Sequence, residues 1–247
     1  MPRKQQKSVA LLLTCEHGGN NVPSEFASLF DGADEVLASH RGWDPGALQL
    51  AESLAEQFEV TLISATVTRL LIELNRSLHH PRLFSEFSRP LSATQRRDVI
   101  NRFYTPHIQR VQAAIQSLLQ GSRQVLHVGV HTFTPVFDNV PRNCDIGLLY
   151  DSKRVRERDF CLAWQRELRT ADPSLRVRRN YPYRGSSDGL TTSLRRDFKA
   201  DEYLGVELEV ANDLATGQRA GWPALREHLA ETLLVAAQAN AGARAEV

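Results

Sequence analysis

The sequence predicts an α/β protein in which a mixed, mostly parallel central sheet carries helices on both faces. Two observations indicate this fold class. Short apolar runs rich in strand-forming residues alternate along the chain with longer amphipathic segments. The length of 247 residues is usual for one such domain, and no interior linker divides the chain. We therefore expect a single domain over residues 1–247, with flexible tails at 1–7 and 240–247.

Seven segments have the length and apolar character of strands. They are residues 9–14, 60–65, 70–74, 125–131, 146–150, 175–180 and 203–210. The last of them alternates apolar residues with Glu207 and Glu209, which places both glutamates on one face of the strand. Facing water, they would be ordinary surface acids. Facing a cleft, they would include a general base with a raised pKa.

Five longer segments have the apolar spacing of amphipathic helices. They are residues 44–57, 92–119, 155–170, 188–198 and 224–239. Asp44 is suited to cap the first helix, with Pro45 at the first helical position. The stretch 104–107, which contains a proline, predicts a kink or break in the second. Ser187 or Asp188 is suited to cap the fourth.

The composition argues against several classes of protein. Thirty basic and 29 acidic residues leave a net charge of +1, which favours neither nucleic acid nor a membrane surface as a partner. The apolar run near the N-terminus is too short for a secretory signal or a membrane span. Cys15, Cys144 and Cys161 indicate neither a disulfide framework nor a thiolate zinc site, so we expect a cytoplasmic protein. No sequence feature predicts an oligomeric state.

Histidines end two of the predicted strands. His17 follows the first strand on a glycine-containing turn, and His131 ends the strand at 125–131. Ligands of open α/β sheets bind at the carboxyl ends of the strands, and a catalytic zinc needs about three His or carboxylate ligands. Either histidine alone would more often be a core residue, but their shared setting predicts a metal site. Asp44 is available either as a helix cap or as a third ligand.

Polar residues near two further segments suit the binding of an acidic substrate. Arg69 and Arg76 can each bind a carboxylate through two hydrogen bonds, and Asn75 adds an amide donor. The alternative is that both arginines form surface salt bridges, for instance with Glu73. The loop at 180–192 has the composition of a segment that closes over a ligand, or of an ordinary turn.

Within or just after that loop, three residues are candidates for substrate contact. They are Arg184, Thr191 and Arg195, of which Arg195 lies on the following helix and can reach either substrate or only solvent. Arg69 or Arg184 is suited to stabilise an oxyanion.

Seven stretches, in order along the chain, resemble the N-formylglutamate amidohydrolase family. They are CEHGGNNVP, HRGWDPGA, TRLLIELNRS, HVGVHTFTP, DIGLLYD, NYPYRGSSDGLTTSLRR and YLGVELEVAN. The resemblance covers nearly the whole chain. It implies a zinc-dependent hydrolase that removes the formyl group from N-formyl-L-glutamate, on a fold related to the zinc carboxypeptidases and the acylglutamate and acylaspartate deacylases. The implied partner is a small-molecule N-acyl amino acid.

The resemblance also implies the metal ligands. The family's two histidines fall on His17 and His131. Asn20 stands where the wider superfamily has a ligand glutamate, so Asp44 is the favoured third ligand, with Glu16 and Asn20 as lesser candidates. Zinc is implied, although these ligands suit another divalent metal as well.

Substrate-binding and catalytic roles are implied in the same way. Asn75 and Arg76 would bind the substrate carboxylate, and Arg69 would contact the substrate or polarise its carbonyl. Glu209 is favoured over Glu207 as the general base.

Alternatives remain open at this level. The pair Glu16-His17 replaces the proline-histidine of the branch that serves histidine degradation, so the acyl group is open. A zinc carboxypeptidase or another N-acyl amino acid deacylase suits the same scaffold, and a non-catalytic small-ligand-binding protein would keep the pocket. Cys15 as a nucleophile beside His17 would leave His131 unexplained.

Overall fold

The computed structural model describes residues 9–242, with side chains as far as residue 239. The strands are β1 (Val9–Cys15), β2 (Leu62–Ser64), β3 (Gln124–Phe133), β4 (Val136–Phe137), β5 (Val140–Pro141), β6 (Ile146–Leu149), β7 (Val177–Arg179) and β8 (Tyr203–Ala211). The α-helices are α1 (Asp34–Ala38), α2 (Ala47–Phe58), α3 (Ala93–Val99), α4 (Thr105–Gly121), α5 (Val155–Ala171), α6 (Leu190–Asp197), α7 (Asn212–Ala215) and α8 (Trp222–Gly242). A 3-10 helix spans Ser24–Phe30 and a π-helical turn spans Ile100–Tyr104.

The predicted tails lie largely outside the described residues. Residues 1–7 and 243–247 are not described, whereas 240–242, which we expected in the C-terminal tail, close helix α8. No helix within residues 9–242 combines the length and the apolar composition that crossing a bilayer requires.

The main sheet has the strand order β2-β1-β3-β8-β6-β7. Strand β1 pairs in parallel with β2 and β3, β3 pairs in parallel with β8, and β6 pairs in parallel with β7. Only the pairing of β6 with β8 is antiparallel among the described strands of this sheet. The predicted mixed, mostly parallel sheet is confirmed.

Helices cover both faces of the sheet, as predicted. Helices α2, α5 and α8 pack on one face, where Leu126, Val128 and Val130 of β3 join their apolar residues in the largest core. Helices α4 and α6 pack on the other face, against a core that includes Val125. Because side chains alternate along a strand, His127 and His131 share this second face with Val125.

The predicted strand at 70–74 is wrong. These residues form a turn and an irregular segment, and Leu71, Ile72 and Leu74 pack with Phe26 and Phe30 in a separate core beside the sheet. An apolar run requires burial but not a strand ladder, and here the burial comes from loops and the 3-10 helix.

The predicted caps are also wrong. Helix α2 begins after Gly46, which has φ +86° and abuts Ala215, and the Asp44 side chain makes no capping hydrogen bond. Helix α6 begins after Gly189 without a side-chain cap, and the Asp188 carboxylate instead accepts a hydrogen bond from the backbone of Ser77. In both places the side chain has a longer-range partner that outweighs local capping.

The long helix predicted at 92–119 does not break. Helix α3 runs through the π-helical turn directly into α4, and Pro106 follows that turn as the second residue of α4. The π-helical turn thus lies where the proline, which has no N–H to donate, interrupts the regular hydrogen-bond pattern.

Three adjacent parallel strands, β1, β3 and β8, end at the same edge of the sheet. His17 follows the end of β1, His131 lies near the end of β3, and Glu209 is the register partner of His131 on β8. This edge, on the face covered by α4 and α6, therefore gathers the polar residues that the sequence singled out.

Candidate active site

Three buried side chains converge at this edge, namely His17, Asp44 and His131. The Oδ2 atom of Asp44 lies 3.1 Å from Nδ1 of His17 and 2.9 Å from Nδ1 of His131. One potential ligand atom from each residue falls within 4.8 Å of the others. Two imidazoles and a carboxylate are a donor set that zinc and other divalent metals accept, so these residues fit the implied metal.

Electrostatics at the cluster favour charged side chains. Burial opposes charge on all three, but the facing imidazoles and Arg69 hold the pKa of Asp44 well below its usual range. Burial would likewise lower the pKa of His131, yet Asp44 and Glu16 raise it above the ordinary value. The carboxylates and the imidazoles thus stabilise each other's charges, and a bound cation could take the place of the protons on the imidazoles.

Glu73 is a site residue that the sequence reading considered only as a salt-bridge partner. Its Oε1 atom accepts a hydrogen bond from Nε2 of His17, and its Oε2 atom accepts one from Nε of Arg69 at 2.8 Å. Arg69 also donates to Oδ1 of Asp44 at 3.1 Å, so the arginine bridges the two carboxylates. Glu73 fixes the His17 ring with Nδ1 turned towards Asp44. A glutamate inside the apolar run 70–74 was the available signal.

Glu209 has the environment of a general base. It is 6% exposed, and its Oε2 atom has no hydrogen-bond partner. Burial, with the negative charges of Asp44 and Glu207 adding to it, raises the pKa of Glu209 to about 8. Glu207 is less buried and accepts hydrogen bonds from Thr191 at 3.2 Å and Asn75 at 3.4 Å. Of the two acids, Glu209 alone presents an uncommitted buried oxygen.

The cluster forms one wall of a cavity of about 180 Å³. Arg69, Arg76 and Arg184 line it together with Asn75 and both glutamates. Arg76 donates to the carbonyls of Asn75 and Asp188, whereas the guanidinium of Arg184 makes no hydrogen bond or ion pair among residues 9–239. The volume suits a small molecule, and the cations suit a carboxylate.

Two predicted substrate contacts lie outside the cavity lining. Thr191 is buried behind it, where its hydroxyl donates to Glu207. Arg195 is 9% exposed and is held by Glu157 and by the carbonyls of Gly185 and Gly205. Its guanidinium is fully engaged within the fold, and this placement corrects the expectation that Arg195 reaches substrate.

The lesser candidates for the third ligand lie elsewhere as well. The Asn20 amide donates to the carbonyl of Leu37 at 3.0 Å. Glu16 lies beside the Nε2 atom of His131, whereas Asp44 faces the Nδ1 atom. Cys15 is fully buried, and burial raises its pKa well above the ordinary value, which does not suit a nucleophile.

One small cavity thus combines a buried acid of raised pKa, a group of potential metal ligands and three arginines. Such a combination is typical of enzymes that activate water, so this cavity is the candidate active site. The chain belongs to the N-formylglutamate amidohydrolase family, whose sequence model matches residues 9–216. It is therefore a hydrolase of C–N bonds that acts on a small molecule. The resemblance noted in the sequence is thereby confirmed.

Two solved structures resemble the chain. An Agrobacterium tumefaciens gene product is 32% identical, with a TM-score of 0.80 over 94% of this chain and 92% of that one. The N-formylglutamate amidohydrolase of Ralstonia eutropha is 20% identical, with a TM-score of 0.68 over 94% of each chain, and shares the fold. No curated protein matches the sequence.

Proposed function

We propose that this protein is a metal-dependent amidohydrolase that cleaves the N-acyl amide bond of an acidic N-acyl amino acid, N-formyl-L-glutamate being the first substrate to test. The observation that carries the proposal is the buried, unpartnered Oε2 of Glu209 on the strand beside His131. Membership of the family and the arginine-lined cavity support the choice of substrate.

The metal would be held by His17, Asp44 and His131, with zinc as the first candidate. When bound, such a metal polarises a carbonyl and lowers the pKa of a water molecule towards 7. Glu209, as its carboxylate, accepts the proton of the attacking water and then returns it to the leaving amine. Because the acid form of Glu209 cannot accept that proton, positive charge at the centre also favours the reactive form.

The arginines bind and orient the substrate in this proposal. The free guanidinium of Arg184 and the open side of Arg76 are placed to pair with substrate carboxylates, and Asn75 adds a side-chain amide to the lining. Arg69, already between Asp44 and Glu73, adds positive charge near the carbonyl oxygen as that oxygen becomes negative.

The test is metal analysis of the purified protein together with formate release from N-formyl-L-glutamate, with and without a chelator. One divalent metal per chain and chelator-sensitive formate release is the expected result. Bound metal without formate release would refute the formyl substrate, and N-acetyl and peptide substrates would then identify a deacylase or carboxypeptidase. Failure both to take up metal and to turn over any of these substrates after zinc is supplied would favour a binding protein.

A further inference from the structure

Glu16 is a buried acid that the proposed reaction does not use. It follows β1 directly, is 2% exposed, and precedes His17 in the chain. Its Oε2 atom lies 3.2 Å from Nε2 of His131, and its Oε1 lies 3.4 Å from Nε2 of His107. A carboxylate buried this deeply is costly unless its partners compensate it, so its position between two histidines requires an explanation.

The two nitrogens of His131 face different carboxylates. Nδ1 lies 2.9 Å from Asp44 at the cluster, and Nε2 points away from the cluster towards Glu16. Nε2 is buried, and although Oε2 of Glu16 lies 3.2 Å away, Nε2 forms no hydrogen bond among residues 9–239. A ligand histidine needs one bare nitrogen for the metal, and an acceptor beside the other nitrogen keeps the proton there and holds the ring.

The far side of Glu16 is closed by the long helix. His107 is 4% exposed in the first turn of α4, just after the π-helical turn at Ile100–Tyr104. The same turn directs the Tyr104 hydroxyl to the carbonyl of Arg76 at 2.8 Å. The π-helical turn therefore supports the site at two points, as such turns often do near functional residues.

We propose that Glu16, held by His107, is a positioning residue. When a metal binds at Nδ1 of His131, Glu16 accepts a hydrogen bond from Nε2–H of the same ring and keeps Nδ1 turned towards the metal centre. This role rests on the metal-binding function proposed above. It makes Glu16 the counterpart of Glu73, which accepts a hydrogen bond from Nε2 of His17. Each of the two histidines thus has its own buried carboxylate beside Nε2.

The experiment compares metal affinity with folding stability in matched variants. Glu16→Gln removes the charge but keeps the size, and Glu157→Gln makes the same change at a fully buried glutamate that pairs with Arg195 away from the cluster. Zinc affinity is measured by competition with a chromophoric chelator, the melting temperature is measured on metal-free protein, and the visible spectrum is recorded with cobalt.

We expect Glu16→Gln to weaken zinc binding about 10- to 100-fold and to alter the cobalt spectrum. Glu157→Gln is expected to lower the melting temperature without changing zinc affinity. If folded Glu16→Gln binds zinc as tightly as the wild type, or if Glu157→Gln loses as much affinity, the positioning role is refuted.

A second variant protects the test against misfolding of the first. His107→Gln removes the imidazole that holds Glu16 without touching His131, and we expect a smaller loss of zinc affinity in the same direction. Unchanged affinity in this variant would overturn the part assigned to His107. If the wild-type protein takes up no divalent metal, the metal centre itself is refuted. If the wild type binds metal and the variants bind it equally well, only the positioning role is refuted.

Discussion

Replacing Glu209 by Gln separates the catalytic value of this residue from its cost in stability. The carboxylate is buried without a partner for Oε2, and its pKa is raised from 4.5 to about 8. The folded protein therefore keeps a proton that the unfolded chain loses between these two pH values. Stability contributed by the protonated acid is fully present below the unfolded pKa and is lost as the pH rises through the folded pKa.

The size of the effect follows from the shift. A rise in pKa from 4.5 to about 8, at about 1.4 kcal/mol for each pH unit, limits the loss of folding stability to about 5 kcal/mol at pH 8 and above. Because the folded protein relaxes around a buried charge, we expect the loss of stability to be about 2 kcal/mol. Glutamine stays neutral at every pH, so metal-free Glu209→Gln does not lose this stability as the pH rises. The free energy of unfolding of the variant minus that of the wild type should therefore be about 2 kcal/mol larger at pH 8 than at pH 5.

The assay is urea unfolding of both metal-free proteins at the two pH values, combined with turnover of the metal-loaded enzymes. We expect Glu209→Gln to retain metal while kcat falls about 10²- to 10⁴-fold. Glu207→Gln, two residues away on the same strand face, is the matched control and should keep more activity. A stability difference that is the same at pH 5 and pH 8, or full activity of Glu209→Gln, would refute the reasoning.

Further predictions concern binding, the metal and the fold. Arg184→Met should lower kcat/KM for N-formyl-L-glutamate by about 10- to 100-fold, because a charge-assisted hydrogen bond to the substrate is lost. Arg196→Met, at an exposed arginine, should leave kcat/KM unchanged. Equal effects of the two substitutions would show that Arg184 does not bind the substrate. His17→Ala should weaken zinc binding by more than about 100-fold, measured by chelator competition, because the loss of a supporting residue alone costs 10- to 100-fold. Although burial opposes it, Arg176 and Arg219 hold the pKa of Asp145 at about 2, so Asp145→Asn should cost about 1 kcal/mol at pH 7 and progressively less as the pH falls from about 4 towards 2 in urea unfolding. A cost that persists undiminished at low pH would show that the ion pairs are not its source.

The sequence alone determined the fold class and the edge of the sheet that carries the site. Alternation along the last strand placed Glu207 and Glu209 on one face, because successive side chains of a strand point to opposite sides. The pairing of β3 with β8 in the structure then set His131 beside Glu209. Apolar runs ending in His17 and His131 placed both histidines at the carboxyl edge, where parallel strands finish together. These are properties of short segments, and local patterns suffice to predict them.

Only the tertiary structure decided which neighbouring side chains serve the site. In sequence Asp44 suits either a helix cap or a third metal ligand, and the fold decides between them by bringing it to His17 and His131, 27 and 87 residues away. Glu73 reaches His17 across 56 residues, and Glu157 holds Arg195 away from the cavity across 38. A buried charge is stabilised by whichever partner the fold brings within hydrogen-bond distance, and no local pattern records a contact made between segments so far apart in the chain.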